Sequence, residues 1–106
     1  SADKRAHLWE NSKRLHAGLR QLGFKLGTEE PQSAIIAVIM PDLETGAAMW
    51  EALLQEWLYL NLARHPAPPA NMTLLRCSLC ALHTEEQVGE ILTMFTAAGR
   101  ATGCIS

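Results

Sequence analysis

Arg64 and Arg76 offer the clearest chemistry in this chain of 106 residues. Arg64 closes the segment Asn61-Leu62-Ala63-Arg64. Arg76 lies within Leu74-Leu75-Arg76-Cys77-Ser78-Leu79-Cys80, and a proline-rich stretch from Pro66 to Pro69 separates the two. The leucines around Arg76 suit burial. A guanidinium cannot shed its proton, and burying one without a partner is costly. An anion should therefore meet it, and a planar carboxylate matches the guanidinium fork bidentately. The plainer alternative is a surface arginine on an exposed sheet face. Arg64, at a strand end, invites that plainer reading even more.

Other reactive side chains give weaker patterns. Cys77-x-x-Cys80, extended by His83, hints at metal or redox chemistry. A structural zinc site usually needs four ligands, and no second cysteine pair exists. A spacing of three along a strand also sends the two thiols to opposite faces, and a redox pair belongs at a helix N-terminus. Buried structural thiols are the favoured reading, and no metal site is expected. His7 and His16 fall on the first helix and should be solvated, and His83 should be a loop residue. Lys4, Lys13 and Lys25 have no surroundings that would depress an amine pKa for Schiff-base chemistry. No glycine-rich phosphate loop is present.

These residues need a scaffold. A chain this long is one domain and can fold without staples. The formal charge of −2 gives no reason to expect nucleic acid. The basic cluster Lys4, Arg5, Lys13, Arg14 and Arg20 is diluted by Asp3 and Glu10, as on a solvated face. No run of about 18 apolar residues could span a bilayer. Three cysteines without a secretory mark favour free thiols in a reducing, cytoplasmic setting. The chain starts at Ser1 without an initiator methionine, and a piece of a longer protein is expected.

The pattern predicts a helix over 2–22, with Leu8, Leu15, Leu19 and Leu22 on one face and Gly23 as its stop. Phe24–Leu26 is a short strand. Ala34–Met40 is a continuous apolar run, as in a strand covered on both faces. Asp42 caps a second helix reaching about Trp57, its apolar face formed by Trp50, Leu53, Leu54 and Trp57. Leu58–Ala63 and Thr73–Cys80 are strands joined by a loop over 65–71. In the second, Leu75, Cys77 and Leu79 point one way. Leu74, Arg76, Ser78 and Cys80 point the other, onto the more polar face. Thr84-Glu85-Glu86-Gln87 is a capping box opening a helix with Val88, Ile91, Leu92 and Phe95 inside and Gly99 at its end. The fold class is α+β: a small, mainly antiparallel sheet with helices packed on it.

Asn61-x-Ala63-Arg64, the Pro/Ala loop and Leu74-Leu75-Arg76-Cys77-Ser78-x-Cys80-Ala81-x-His83-Thr84 resemble the C-terminal domain of the bacterial serine palmitoyltransferases. That branch belongs to the α-oxoamine synthases, pyridoxal-phosphate enzymes of the aspartate aminotransferase fold, fold type I. His7-Leu8-Trp9-Glu10-Asn11, Gly23-Phe24 and Met94-Phe95-x-Ala97-Ala98-Gly99-Arg100 extend the resemblance over nearly the whole chain. His65 departs from the pattern, standing where a second proline is expected. The resemblance implies that residues 1–106 are the small C-terminal domain, with 1–22 leading in from a larger domain. It implies decarboxylative condensation of L-serine with palmitoyl-CoA to 3-ketodihydrosphingosine, by a homodimer in the complete enzyme. Arg76 would hold the serine carboxylate. Arg64 would be a mobile catalytic arginine that engages the same group and helps decarboxylation. The cofactor lysine would lie in the larger domain, so this chain would bind no pyridoxal phosphate and be inactive alone. The alternatives are a sister synthase acting on glycine or alanine, and a stand-alone anion-binding module.

Overall fold

The computed structural model describes residues 2–31, 33–53, 59–66 and 71–106. The elements run α1 (Ala2–Leu22), β1 (Lys25–Leu26), β2 (Ile35–Met40), α2 (Leu43–Leu53), β3 (Tyr59–His65), β4 (Met72–Ser78) and α3 (Glu85–Thr102). The expected order of elements holds. Leu54 and Trp57, half of the apolar face expected for α2, and residues 67–70 of the proline loop lie outside the described residues.

The strands form one antiparallel sheet in the order β1-β2-β4-β3. α1 packs on β1 and β2, α2 on β2, β3 and β4, and α3 lies against both helices. Leu15, Leu19, Val38, Met49, Leu75, Cys77, Val88, Ile91 and Phe95 are fully buried between sheet and helices. Phe24 meets Phe95 edge to face, ring centres 5.6 Å apart, a favourable quadrupole arrangement.

β2 corrects one expectation. Ile36, Val38 and Met40 are buried, but Ile35 is 52% exposed and Ala37 and Ile39 are half-buried. Strand alternation points these two sets to opposite faces. Among the described residues the helices cover only one of them, the face of Ile36, Val38 and Met40.

The helix ends follow local chemistry. Gly23, at φ 105°, closes α1. Its N–H donates to the Arg20 carbonyl at 3.1 Å, and the Phe24 N–H donates to the Leu19 carbonyl at 3.1 Å, the paired bonds of a Schellman stop. The Asp42 carboxylate accepts from the Thr45 N–H at 2.7 Å and starts α2 as expected; that bond holds its carboxyl below the usual range. Thr84 and Gln87 form the capping box in both directions. Gly99, however, does not end α3. It is buried inside the helix, where a Cβ would lie 2.6 Å from Phe24 Cζ and 2.9 Å from Ile105 Cγ1. Gly103, left-handed at φ 78°, makes the stop one turn later.

The buried face of α1 is more polar than its leucines suggest. Asn11, Ser12 and His16 are all buried. Asn11 Nδ2 donates to the His83 carbonyl at 2.8 Å and to the Cys80 carbonyl at 3.4 Å. Ser12 Oγ donates to the Ser33 carbonyl at 2.6 Å. His16 Nε2 lies 3.0 Å from the Thr28 carbonyl, so His16 is not the solvated residue expected from its helix. These side chains fasten α1 to loops that would otherwise bury unpaired carbonyls. Asn11→Ala should lower the unfolding free energy by about 1–3 kcal/mol, because it leaves buried acceptors unmet. Lys13→Ala, on the exposed face, should change it by less than about 0.5 kcal/mol. Urea denaturation of the two variants checks the difference.

Candidate substrate-carboxylate site

The sheet register maps the uncovered face row by row. Ile35, Ser78 and Tyr59 form one row across β2, β4 and β3. Ala37, Arg76 and Asn61 form the next, and Ile39, Leu74 and Ala63 the third. Directly opposed residues share a face, so all nine belong to the side away from the helices. Arg76 stands at the centre of this patch, exposed, on the strand with a neighbour on each side.

Leu75 and Cys77 are wholly buried on the other face and Leu79 nearly so, as the alternation predicts. The surroundings of Arg76 are less polar than expected. Isoleucine, leucine, alanine and tyrosine dominate, because β2 and β3 add their own apolar residues to the face. Among the described residues the Arg76 guanidinium has no hydrogen bond or ion pair. Its donors are free, in an apolar patch that would strengthen an ionic contact once covered.

Arg64 lies elsewhere. It pairs with Thr73, and alternation turns it toward the helix side of the sheet. It is exposed near the free end of β3, three residues along from Asn61 and thus roughly 10 Å away along the strand. The structure does not bring the two guanidinium groups together. For Arg64 to reach a ligand on Arg76, the strand end before Pro66 must rearrange.

The cysteines only partly match expectation. Cys77 is buried, and burial pushes its thiol up from 9.0 to about 12. Cys80 is exposed, two residues beyond the end of β4, so it is not a buried structural thiol. Burial, then the nearby Asp42 charge, raise the half-buried Cys104 thiol. Among the described residues no group of three or more His, Cys, Asp or Glu could hold a metal. His83 is the expected loop residue, but a buried one: its Nδ1 accepts from the Cys80 N–H at 3.0 Å.

The basic side chains of α1 are engaged locally. Lys13 pairs with Glu10 at 2.8 Å, Arg14 with Glu85 at 3.6 Å, and Arg20 donates to the Glu29 carbonyl at 2.8 Å. Lys4, Lys13 and Lys25 are exposed, and none has the apolar enclosure that a cofactor lysine needs. The residues present therefore do not fit a pyridoxal-phosphate cradle by themselves. What they offer instead is one exposed guanidinium, Arg76, in an apolar patch.

Residues 1–95 match the aminotransferase class I and II family. The chain belongs to that family. A serine palmitoyltransferase of Sphingomonas paucimobilis is 55% identical over 103 residues, 97% of this chain and 24% of the relative. An 8-amino-7-oxononanoate synthase of Symbiobacterium thermophilum is 32% identical over 98 residues, 92% of this chain and 24% of the relative. The solved serine palmitoyltransferase of Sphingomonas wittichii superposes with a TM-score of 0.89 at 64% identity, over 98% of this chain and 26% of that one. The chain thus spans about a quarter of the length of the relatives it matches. Its α+β architecture is that of their small domain, and the α-oxoamine synthase resemblance holds along nearly its whole length.

Burial separates the thiols in a way that can be measured. A disulfide reagent at pH 8 should label Cys80 rapidly in the folded chain and leave Cys77 unlabelled until denaturant is added. The raised Cys77 value also sets an alkaline limit. The folded state holds this proton more tightly than the unfolded state, so its contribution is complete below about pH 9 and falls as the pH climbs toward about 12. Cys77→Ala should flatten that part of the stability profile.

Proposed function

We propose that the chain is the C-terminal small domain, residues 1–106, of a serine palmitoyltransferase, with residues 1–22 leading in from a larger cofactor-binding domain. The complete enzyme, a cytoplasmic homodimer in this reading, condenses L-serine with palmitoyl-CoA, loses carbon dioxide and yields 3-ketodihydrosphingosine. Pyridoxal phosphate is held by the larger domain and supplies the electron sink for that chemistry.

The observation that carries the reading is Arg76: a guanidinium without a partner among the described residues, centred on an apolar sheet face that the described residues leave uncovered. Covering that face with a second domain makes the Arg76 pocket dry. A carboxylate then binds the guanidinium through two parallel N–H···O bonds. Gripping the acid group fixes the amino acid's rotation, which is positional catalysis. In this reading Arg64, which starts on the opposite face, engages the same carboxylate only after the end of β3 moves.

Two further readings are weaker. A sister synthase using glycine or alanine shares the fold, but the closer likeness is to serine palmitoyltransferases. A stand-alone anion-binding module would leave Ile35, Ile39, Leu74 and Tyr59 facing water without purpose.

In the complete enzyme, Arg76→Ala should weaken L-serine binding by about 2–5 kcal/mol, since the substrate acid loses its buried partner. Titration of serine against the cofactor's absorbance measures it, and unchanged affinity would remove the proposed role. The 106-residue chain alone, mixed with pyridoxal phosphate, should give no lysine-dependent absorbance band and no turnover.

A further inference from the structure

The residue directly across from Arg76 on β3 is Asn61, and the residue across from it on β2 is Ala37. Opposed side chains in antiparallel strands have Cβ atoms about 4.5–5.5 Å apart. Asn61 is therefore the polar cross-strand neighbour of Arg76, while Ala37 leaves open space on the other flank. The Asn61 side chain is exposed and, like that of Arg76, makes no hydrogen bond among the described residues. Its residue type is also out of place locally. Asparagine is disfavoured within strands, and here it neither packs nor caps a turn, with Tyr59 and Ala63 beside it on the same face.

The chemistry of a carboxylate explains this pairing. Its two oxygens offer about four acceptor directions, and a guanidinium fork uses only two. A neutral amide at cross-strand distance can donate to a third without competing for the cation, as an aspartate would. We infer that Asn61 is a second substrate-binding residue of the Arg76 site. Its Nδ2–H donates to an oxygen of the α-amino acid carboxylate that Arg76 grips, and so blocks rotation of that group about the guanidinium axis. This rests on the function proposed above for Arg76, and it adds a contact from the edge strand that also carries Arg64.

The test uses the complete enzyme with its cofactor. L-serine and serinamide, which lacks the acid group, are titrated against Asn61→Ala, Asn61→Asp, Arg76→Ala and the double variant Asn61→Ala/Arg76→Ala. Asn61→Ala should weaken serine binding about tenfold, the worth of one hydrogen bond to a charged group. Asn61→Asp should weaken it about a hundredfold, because a like charge then faces the carboxylate. Serinamide affinity, the KM for acyl-CoA and the melting temperature should stay unchanged in both single Asn61 variants. The double variant should bind serine no more weakly than Arg76→Ala, since both residues act on one group. If Arg76→Ala keeps its serine affinity, the carboxylate site itself is misplaced and the proposed function falls. If Arg76→Ala weakens binding but both single Asn61 variants stay within about twofold of the parent, the role of Asn61 falls and that of Arg76 stands. Equal losses for serine and serinamide also overturn it, because a merely structural asparagine would not distinguish them.

Discussion

The alternation of β4 between two sheet neighbours governs everything else in this domain. Leu75 and Cys77 point into the core and are fully buried there. That commitment leaves Arg76 no choice of face. A slip of one residue would drive a guanidinium into a hydrophobic interior and expose two core side chains. The burial energy of the core thus holds the arginine in place, although among the described residues no hydrogen bond touches its guanidinium. With β2 on one side and β3 on the other, β4 is also held in register along both edges.

The sheet is two-sided in composition and one-sided in cover. α1 and α2 pack on one face, with α3 against both, and isoleucine, leucine, alanine and tyrosine line the other. An apolar patch of this kind marks an interaction surface. A cation in the middle of such a patch gains strength when the patch is covered, because the local dielectric falls and water no longer competes. Among the described residues, the uncovered face and the guanidinium without a side-chain partner coincide, so one surface offers both apolar area and a charge. The buried polar face of α1 serves a different purpose. Asn11, Ser12 and His16 fasten α1 to the carbonyls of His83, Ser33 and Thr28.

Much of this was legible in the residues alone. Period-two patterning in 74–79 assigns each side chain its face, and the helix caps and stop follow from Asp42, Thr84 and Gly23. The likeness of the Arg64 and Arg76 segments to a known enzyme branch also stood in the sequence, and family, fold and relatives agree with it. Other features were not legible. His16 looks like any surface histidine of a basic helix until the 28–31 loop folds over it. Gly99 looks like a helix stop because glycine is a common one, whereas its real task is to admit Phe24 and Ile105. Cys80 shares a motif with Cys77 yet falls beyond the strand and faces solvent.

Local periodicity and stop signals thus determined which elements form and which side of β4 bears the arginine, since both depend on neighbours a few residues apart. Only the tertiary structure decided what stands beside that arginine. The pairing of Asn61 and Ala37 with Arg76 depends on the registers of β3 and β2, which bring together residues 15 and 39 positions apart. The same registers place Arg64 on the opposite face from Arg76, a separation that their nearness in sequence does not reveal. Cross-strand partners are chosen by the burial of a whole face at once, and no short segment carries that information by itself.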